Sequence, residues 1–94
     1  MSGSDCYYVR RDKILNHFLL RYKQRGIDRI VDLDVLINMI EDAWRRGKFS
    51  RDRDGIEGFR FRVEIPYMNR RIIVVVEKTP KCLLPITLWS EKLL

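Results

Sequence analysis

Histidine is almost absent from this chain: of its 94 residues only His17 is one, and only Cys6 and Cys82 are cysteines. The cysteines belong to no CxxC pair and have no second histidine to join, so no zinc site is expected. Two cysteines build no disulfide framework either; they read as free thiols, with a single Cys6–Cys82 bridge left open. Long apolar runs are also missing. The longest purely aliphatic run, Ile72 to Val76, is five residues, against roughly 20 for a helix that spans a bilayer. No basic-then-apolar leader opens the sequence, so the expected location is cytoplasmic, with no membrane partner. There is no GxSxG, HExxH, P-loop or GxGxxG signature, so the hydrolase, metalloprotease and nucleotide-binding motifs have no foothold and no cofactor is expected. No internal repeat or low-complexity tract is visible.

What is present is positive charge. Apolar residues make up 46% and charged residues 34%, the composition of a folded chain, and the length fits one domain over residues 1–94. Lysine and arginine total 19 against 13 acids, a net charge of +6, and 13 of the 19 are arginine. Arginine is the better fork for phosphate oxygens, so the surplus favours RNA or another nucleic acid as partner over a merely solvated basic surface. The excess is uneven. Residues 5–29 carry seven basic and three acidic side chains, and residues 45–62 repeat that count. Between them Asp32, Asp34, Glu41 and Asp42 make an acidic segment.

The hydrophobic period divides the chain into helices followed by strands. Residues 5–9 are a lead-in segment or a first edge strand. A first helix is expected from Arg10 to Arg25, ended by Gly26. Residues 27–31 form a connector, with Asp32 as the N-cap of a second helix from Leu33 to Arg46, whose stripe is Leu33, Leu36, Ile37, Ile40, Ala43 and Trp44. Lys48 to Gly58 reads as a mobile basic loop of about ten residues. From Phe59 the period becomes two: Phe59, Phe61, Val63 and Ile65 face one way, Arg60, Arg62 and Glu64 the other. A turn over 66–70 leads to a central strand over 71–77, apolar on both faces. A second turn precedes a strand over 82–89, where Pro85 hints at an edge or a bulge. Residues 90–94 are expected to trail off. The fold class is α+β: two N-terminal helices packed on a three- to four-stranded antiparallel sheet.

Helical spacing puts His17, Arg21 and Arg25 in one row, four residues apart. One imidazole and two guanidinium groups on an exposed stripe suit the holding of a phosphate, and also suit a plain solvated helix face. The basic residues Arg45, Arg46, Lys48, Arg51, Arg53, Arg60 and Arg62 are candidate nucleic-acid contacts. Trp89 joins them as a base-stacking candidate, or else as an edge tryptophan that covers the core.

The run His17-x3-Arg21-x3-Arg25-Gly26-Ile27, the acidic helix ending in Gly47, Ile72 to Val76, and Pro85-Ile86-Thr87-Leu88 together resemble a group of small domains. That group is placed near the RelE-type toxins of the barnase, EndoU, colicin and RelE superfamily of ribonucleases. The resemblance implies a compact domain that acts on RNA without metal, often as a toxin-like endoribonuclease, with an antitoxin or other protein as a further partner. It carries catalytic roles onto His17, Arg21, Arg25 and, in the last strand, Thr87. The arginine-rich stretch from Lys48 to Gly58 departs from the group's core pattern. Histidine suits proton transfer because a free imidazole titrates near neutral pH, while arginines would hold the phosphorane. A second proton-transfer group is needed, and Tyr22, Tyr67, Lys23 or a water are the candidates. The alternative is a non-catalytic accessory module that binds nucleic acid or protein with the same basic face. A homodimer is left open.

Overall fold

The computed structural model describes residues 8–52, 59–80 and 82–92, Phe59 in its backbone alone. Two helices come first, α1 (Asn16–Gln24) and α2 (Leu33–Arg45). Four strands follow, β1 (Phe49–Arg51), β2 (Phe59–Tyr67), β3 (Arg70–Lys78) and β4 (Leu83–Lys92). All strand pairs are antiparallel and their order in space is β1-β2-β3-β4. α1 packs on β4 and α2 on β2, both on one face of the sheet. The α+β architecture expected from the sequence is the one observed. No helix among the described residues is long and apolar enough to cross a membrane.

α1 is shorter than its periodicity predicts. Arg11–Lys13 is a single 3-10 turn, and Ile14 and Leu15 are extended before the helix starts at Asn16. Leu15 occupies the N-cap position, and a leucine offers no oxygen to the first helical N–H groups. Helical pairing therefore has little to hold it upstream. The preceding segment is instead tied elsewhere: Glu41 Oε2 accepts the Val9 backbone N–H at 2.7 Å and Glu41 pairs with Arg11 at 3.5 Å. Val9 adds one parallel bridge to Leu83 at the outer edge of β4. The C-terminus of α1 falls where expected, with Gly26 at φ +71°, a value a side chain resists.

α2 buries Leu36, Ile37, Ile40 and Ala43, with Leu33 and Trp44 packed at the margin, as its stripe requires. Asp32 occupies the N-cap position, but its carboxylate makes no capping hydrogen bond. Gly47, at φ +73°, ends the helix and turns the chain into β1. The expectation of a mobile loop from Lys48 is thus corrected at its start: Phe49, Ser50 and Arg51 pair with Val63, Arg62 and Phe61. Phe49 stacks on Trp44 at 4.1 Å between ring centroids, and both meet Phe61 edge-on. That contact converts a charged stretch into a strand. Residues 53–58, including Arg53, lie outside the described residues.

β3, like β2, is an inner strand paired on both edges, and it is paired along its whole length with both neighbours. Ile72, Val74 and Val76 face the helices with Val63, Ile65 and Leu88, whereas Ile73 and Val75 face away. β4 extends through Lys92, so residues 90–92 do not trail off. The strand carries a register shift opposite Val75 and Val76, leaving Ile86 as the extra residue between Pro85 and Thr87. Both strand prolines sit where a missing N–H costs no ladder bond. Leu83 donates outward to Tyr8 O at 2.9 Å, and by alternation Pro85, two residues on, also directs its nitrogen outward. Arg60 O accepts from Asp52 N–H on the β1 side at 2.8 Å. By the same alternation Pro66 faces that side, beyond the three residues that β1 covers.

Candidate functional site

The candidate residues fall on three separate surfaces. His17 and Arg21 lie on α1, His17 exposed and Arg21 half-buried, and Arg25 is the residue that caps the helix. Phe18 and Tyr22 point the other way into the core. Arg21 Nη1 donates to Gln24 Oε1 at 3.1 Å, and Arg25 Nη1 donates to the Leu88 carbonyl oxygen at 2.8 Å. Thr87 does not join this row. It pairs with Val75, which pairs with Arg62, so its side chain lies on the face opposite the helices. The sheet itself stands between Thr87 and His17.

The proposed second proton-transfer groups are also placed elsewhere. Tyr22 is buried, and its Oη donates to Val31 O at 2.6 Å. Burial, then Asp28 and Asp32, raise its pKa above the ordinary tyrosine range. Tyr67 packs against the core. Lys23, six residues after His17, lies on a different side of the helix by geometry.

The second surface runs from the end of α2 to β1. Arg45 and Arg46 both pair with Asp42, at 3.6 and 3.1 Å. Lys48 precedes β1 and Arg51 is its last residue, and both are exposed. Two clefts open here, of about 390 and 420 Å³, sharing Lys48, Glu64 and Pro66 in their walls. Of the sequence candidates, Lys48 lines both and Arg46 one; His17, Arg21, Arg25 and Thr87 line neither.

The open face of the sheet is the third surface, and it brings Arg62 and Trp89 together. The Arg62 guanidinium lies 5.3 Å from the Trp89 ring centroid while its Nε donates to Asp52 at 2.8 Å. Trp89 Nε1 donates to Glu91 at 3.2 Å, and Arg71 bridges Glu91 at 2.7 Å and Glu64 at 3.4 Å. Arg60 pairs with Glu77 at 3.2 Å. Hydrogen bonds from Arg71, then from Trp89, hold the Glu91 carboxyl below its ordinary pKa. Trp89 therefore does not cover the helical core. The flanking side chains of this face leave Ile73 and Val75 only 3% and 5% exposed. Asp52, Glu64 and Glu91 were not among the sequence candidates; the strand alternation carried Glu64, but Glu91 becomes its neighbour only through the bulge at Ile86.

Charge is thus distributed unequally between the surfaces. Arg60, Arg62 and Arg71 on the open face all have carboxylate partners, as do Arg45 and Arg46. Between residues 13 and 29 the chain has five basic side chains, Lys13, Arg21, Lys23, Arg25 and Arg29, and one acid, Asp28. None of the five meets a carboxylate among the described residues. Also among the described residues, no group of three or more His, Cys, Asp or Glu side chains is placed to hold a metal ion. Cys82 is a free, half-buried thiol beside Thr79 Oγ1, and Cys6 lies outside the described residues.

Comparison with protein-family models, curated proteins and solved structures gives no match.

Proposed function

We propose that this chain is a non-catalytic nucleic-acid-binding module that grips the phosphate backbone with the outer face of α1 and the turn that follows it. RNA is the ligand that the RelE-like resemblance implies. One observation carries the proposal: the cations from Lys13 to Arg29 are unneutralised among the described residues, while those of the open face and of the α2 terminus are paired. The potential that attracts a polyanion follows local net charge, and residues 13–29 carry five cations against one acid. Binding over catalysis is favoured by the surroundings of His17, which has neither Thr87 nor Tyr22 available for a second proton transfer.

The test is fluorescence anisotropy of an end-labelled single-stranded RNA across a salt series in EDTA. The expected result is intact RNA and affinity that falls steeply with salt. Arg21→Gln and Arg25→Gln should each lower the slope of log K against log salt by about 0.7, the value for one phosphate contact on a single strand. Metal-independent cleavage that disappears in His17→Ala would replace this proposal with the endoribonuclease. No binding near physiological salt would refute both.

A further inference from the structure

The β2–β3 hairpin turns through Met68 and Asn69 alone, with Tyr67 and Arg70 paired across its end. Met68 has φ +57°, the one positive value on a non-glycine residue among the described residues. A two-residue hairpin loop favours glycine where its first central residue has positive φ, because a Cβ is crowded there. The same Met68 is 87% exposed, more than any other large hydrophobic side chain among the described residues. Backbone crowding and apolar exposure both count against methionine at this position, and asparagine or glycine would relieve both. No contact among the described residues accounts for this side chain, and the chemistry beside it points to one outside the chain.

Its surroundings indicate what that contact is. Arg70 and Lys92 pair across β3 and β4 beside the tip, on the face that carries the helices. The Arg70 guanidinium reaches Ser90 Oγ at 3.5 Å, and neither Arg70 nor Lys92 meets a carboxylate among the described residues. Arg25 is anchored on the same strand at Leu88, two residues before Ser90. The unpaired cations of α1 thus continue along β4 to the hairpin, whereas on the other face Arg71 is neutralised by Glu64 and Glu91.

We infer that the hairpin tip belongs to the nucleic-acid surface: Arg70 and Lys92 extend its phosphate-binding band, and Met68 wedges between neighbouring bases and unstacks them. This rests on the nucleic-acid-binding proposal above. A wedge needs a single apolar side chain flanked by cations. A lipid surface needs a much larger apolar area than one methionine provides.

The experiment uses an RNA hairpin with a fluorescent adenine analogue in its loop, which brightens when unstacked, and the same RNA end-labelled for affinity. The wild-type chain should bind and raise the analogue's fluorescence. Met68→Gly and Met68→Asn should abolish that rise and bind about tenfold more weakly, the factor supplied by burying one methionine side chain. Both variants should be at least as resistant to urea as the wild type, which separates a lost contact from a lost fold. Arg70→Gln should weaken binding and flatten its salt dependence. Wild-type binding without a fluorescence rise, or variants that bind and brighten the RNA as the wild type does, would overturn the wedge and leave the nucleic-acid proposal standing. Absence of RNA binding by the wild type would overturn both, and co-sedimentation with phosphatidylserine vesicles in that case would assign the tip to a membrane surface instead.

Discussion

Arg25 Nη1 donates to the carbonyl oxygen of Leu88 at 2.8 Å, joining the end of α1 to edge strand β4 across 63 positions of sequence. The guanidinium satisfies an edge-strand carbonyl and keeps a positive charge at the surface. Arg25 therefore has a structural role that Arg21, bonded to Gln24 on its own helix, does not have. Arg25→Ala should destabilise the fold by about 1 kcal/mol in urea unfolding, and Arg21→Ala by less than about 0.5 kcal/mol. Equal costs would mean that the Leu88 contact contributes nothing.

The Tyr22 hydroxyl is buried against Val31 O. Tyr22→Phe leaves that carbonyl without its donor and should cost about 1 to 2 kcal/mol. The pH dependence follows from the raised pKa, whose first cause is burial. A group with a raised folded pKa contributes stability that is fully present below its unfolded value and lost as pH rises through the folded one. Unfolding free energy should therefore fall above pH 10.0, the ordinary tyrosine value. The fall should be smaller in Tyr22→Phe, measured across the same alkaline series.

Glu91 has the opposite sign. Its carboxyl is held below the ordinary value of 4.5 by Arg71 and then Trp89. Its contribution is present above that value and lost as pH falls through the lowered folded pKa. On acidification the Trp89 indole N–H resonance should shift with a midpoint below 4.5. In Glu91→Gln that titration should vanish. A midpoint at or above the ordinary value would contradict the hydrogen-bonded geometry.

β1 depends on one ring. Phe49, 36% exposed, stacks on Trp44 and meets Phe61 edge-on. Phe49→Ala should cost about 1 kcal/mol and remove hydrogen-exchange protection from β1 while β3 stays protected. Trp44→Ala removes the centre of the cluster and should cost about 3 kcal/mol. Retained protection at Ser50 in Phe49→Ala would show that the strand is held by its backbone pairing alone.

Much of the fold was legible because local signals agreed with the global arrangement. The stripe of α2, the αL glycines at 26 and 47, and the alternation of β2 each state a period or a backbone angle that few neighbours can override. The misjudged segments were those where a distant partner decided. The stretch before Asn16 has helical composition, yet Glu41 holds it through Val9 and Arg11. Phe49 reads as an exposed loop residue until Trp44 and Phe61 are placed beside it.

The candidate site divides in the same way. Sequence alone determined that His17, Arg21 and Arg25 share a side of the first helical segment and that positive charge outweighs negative, because helical period and composition are local properties. Tertiary structure decided which charges remain available. Arg60 and Arg62 are paired with Glu77 and Asp52 only once the strands are in register, and a single extra residue at Ile86 sets which face Thr87 and Trp89 occupy. One residue of register exchanges the two faces of a strand; Pro85 marks an edge or a bulge in the sequence, but which residue is extra, and so which face Thr87 and Trp89 take, is set by the pairing with β3.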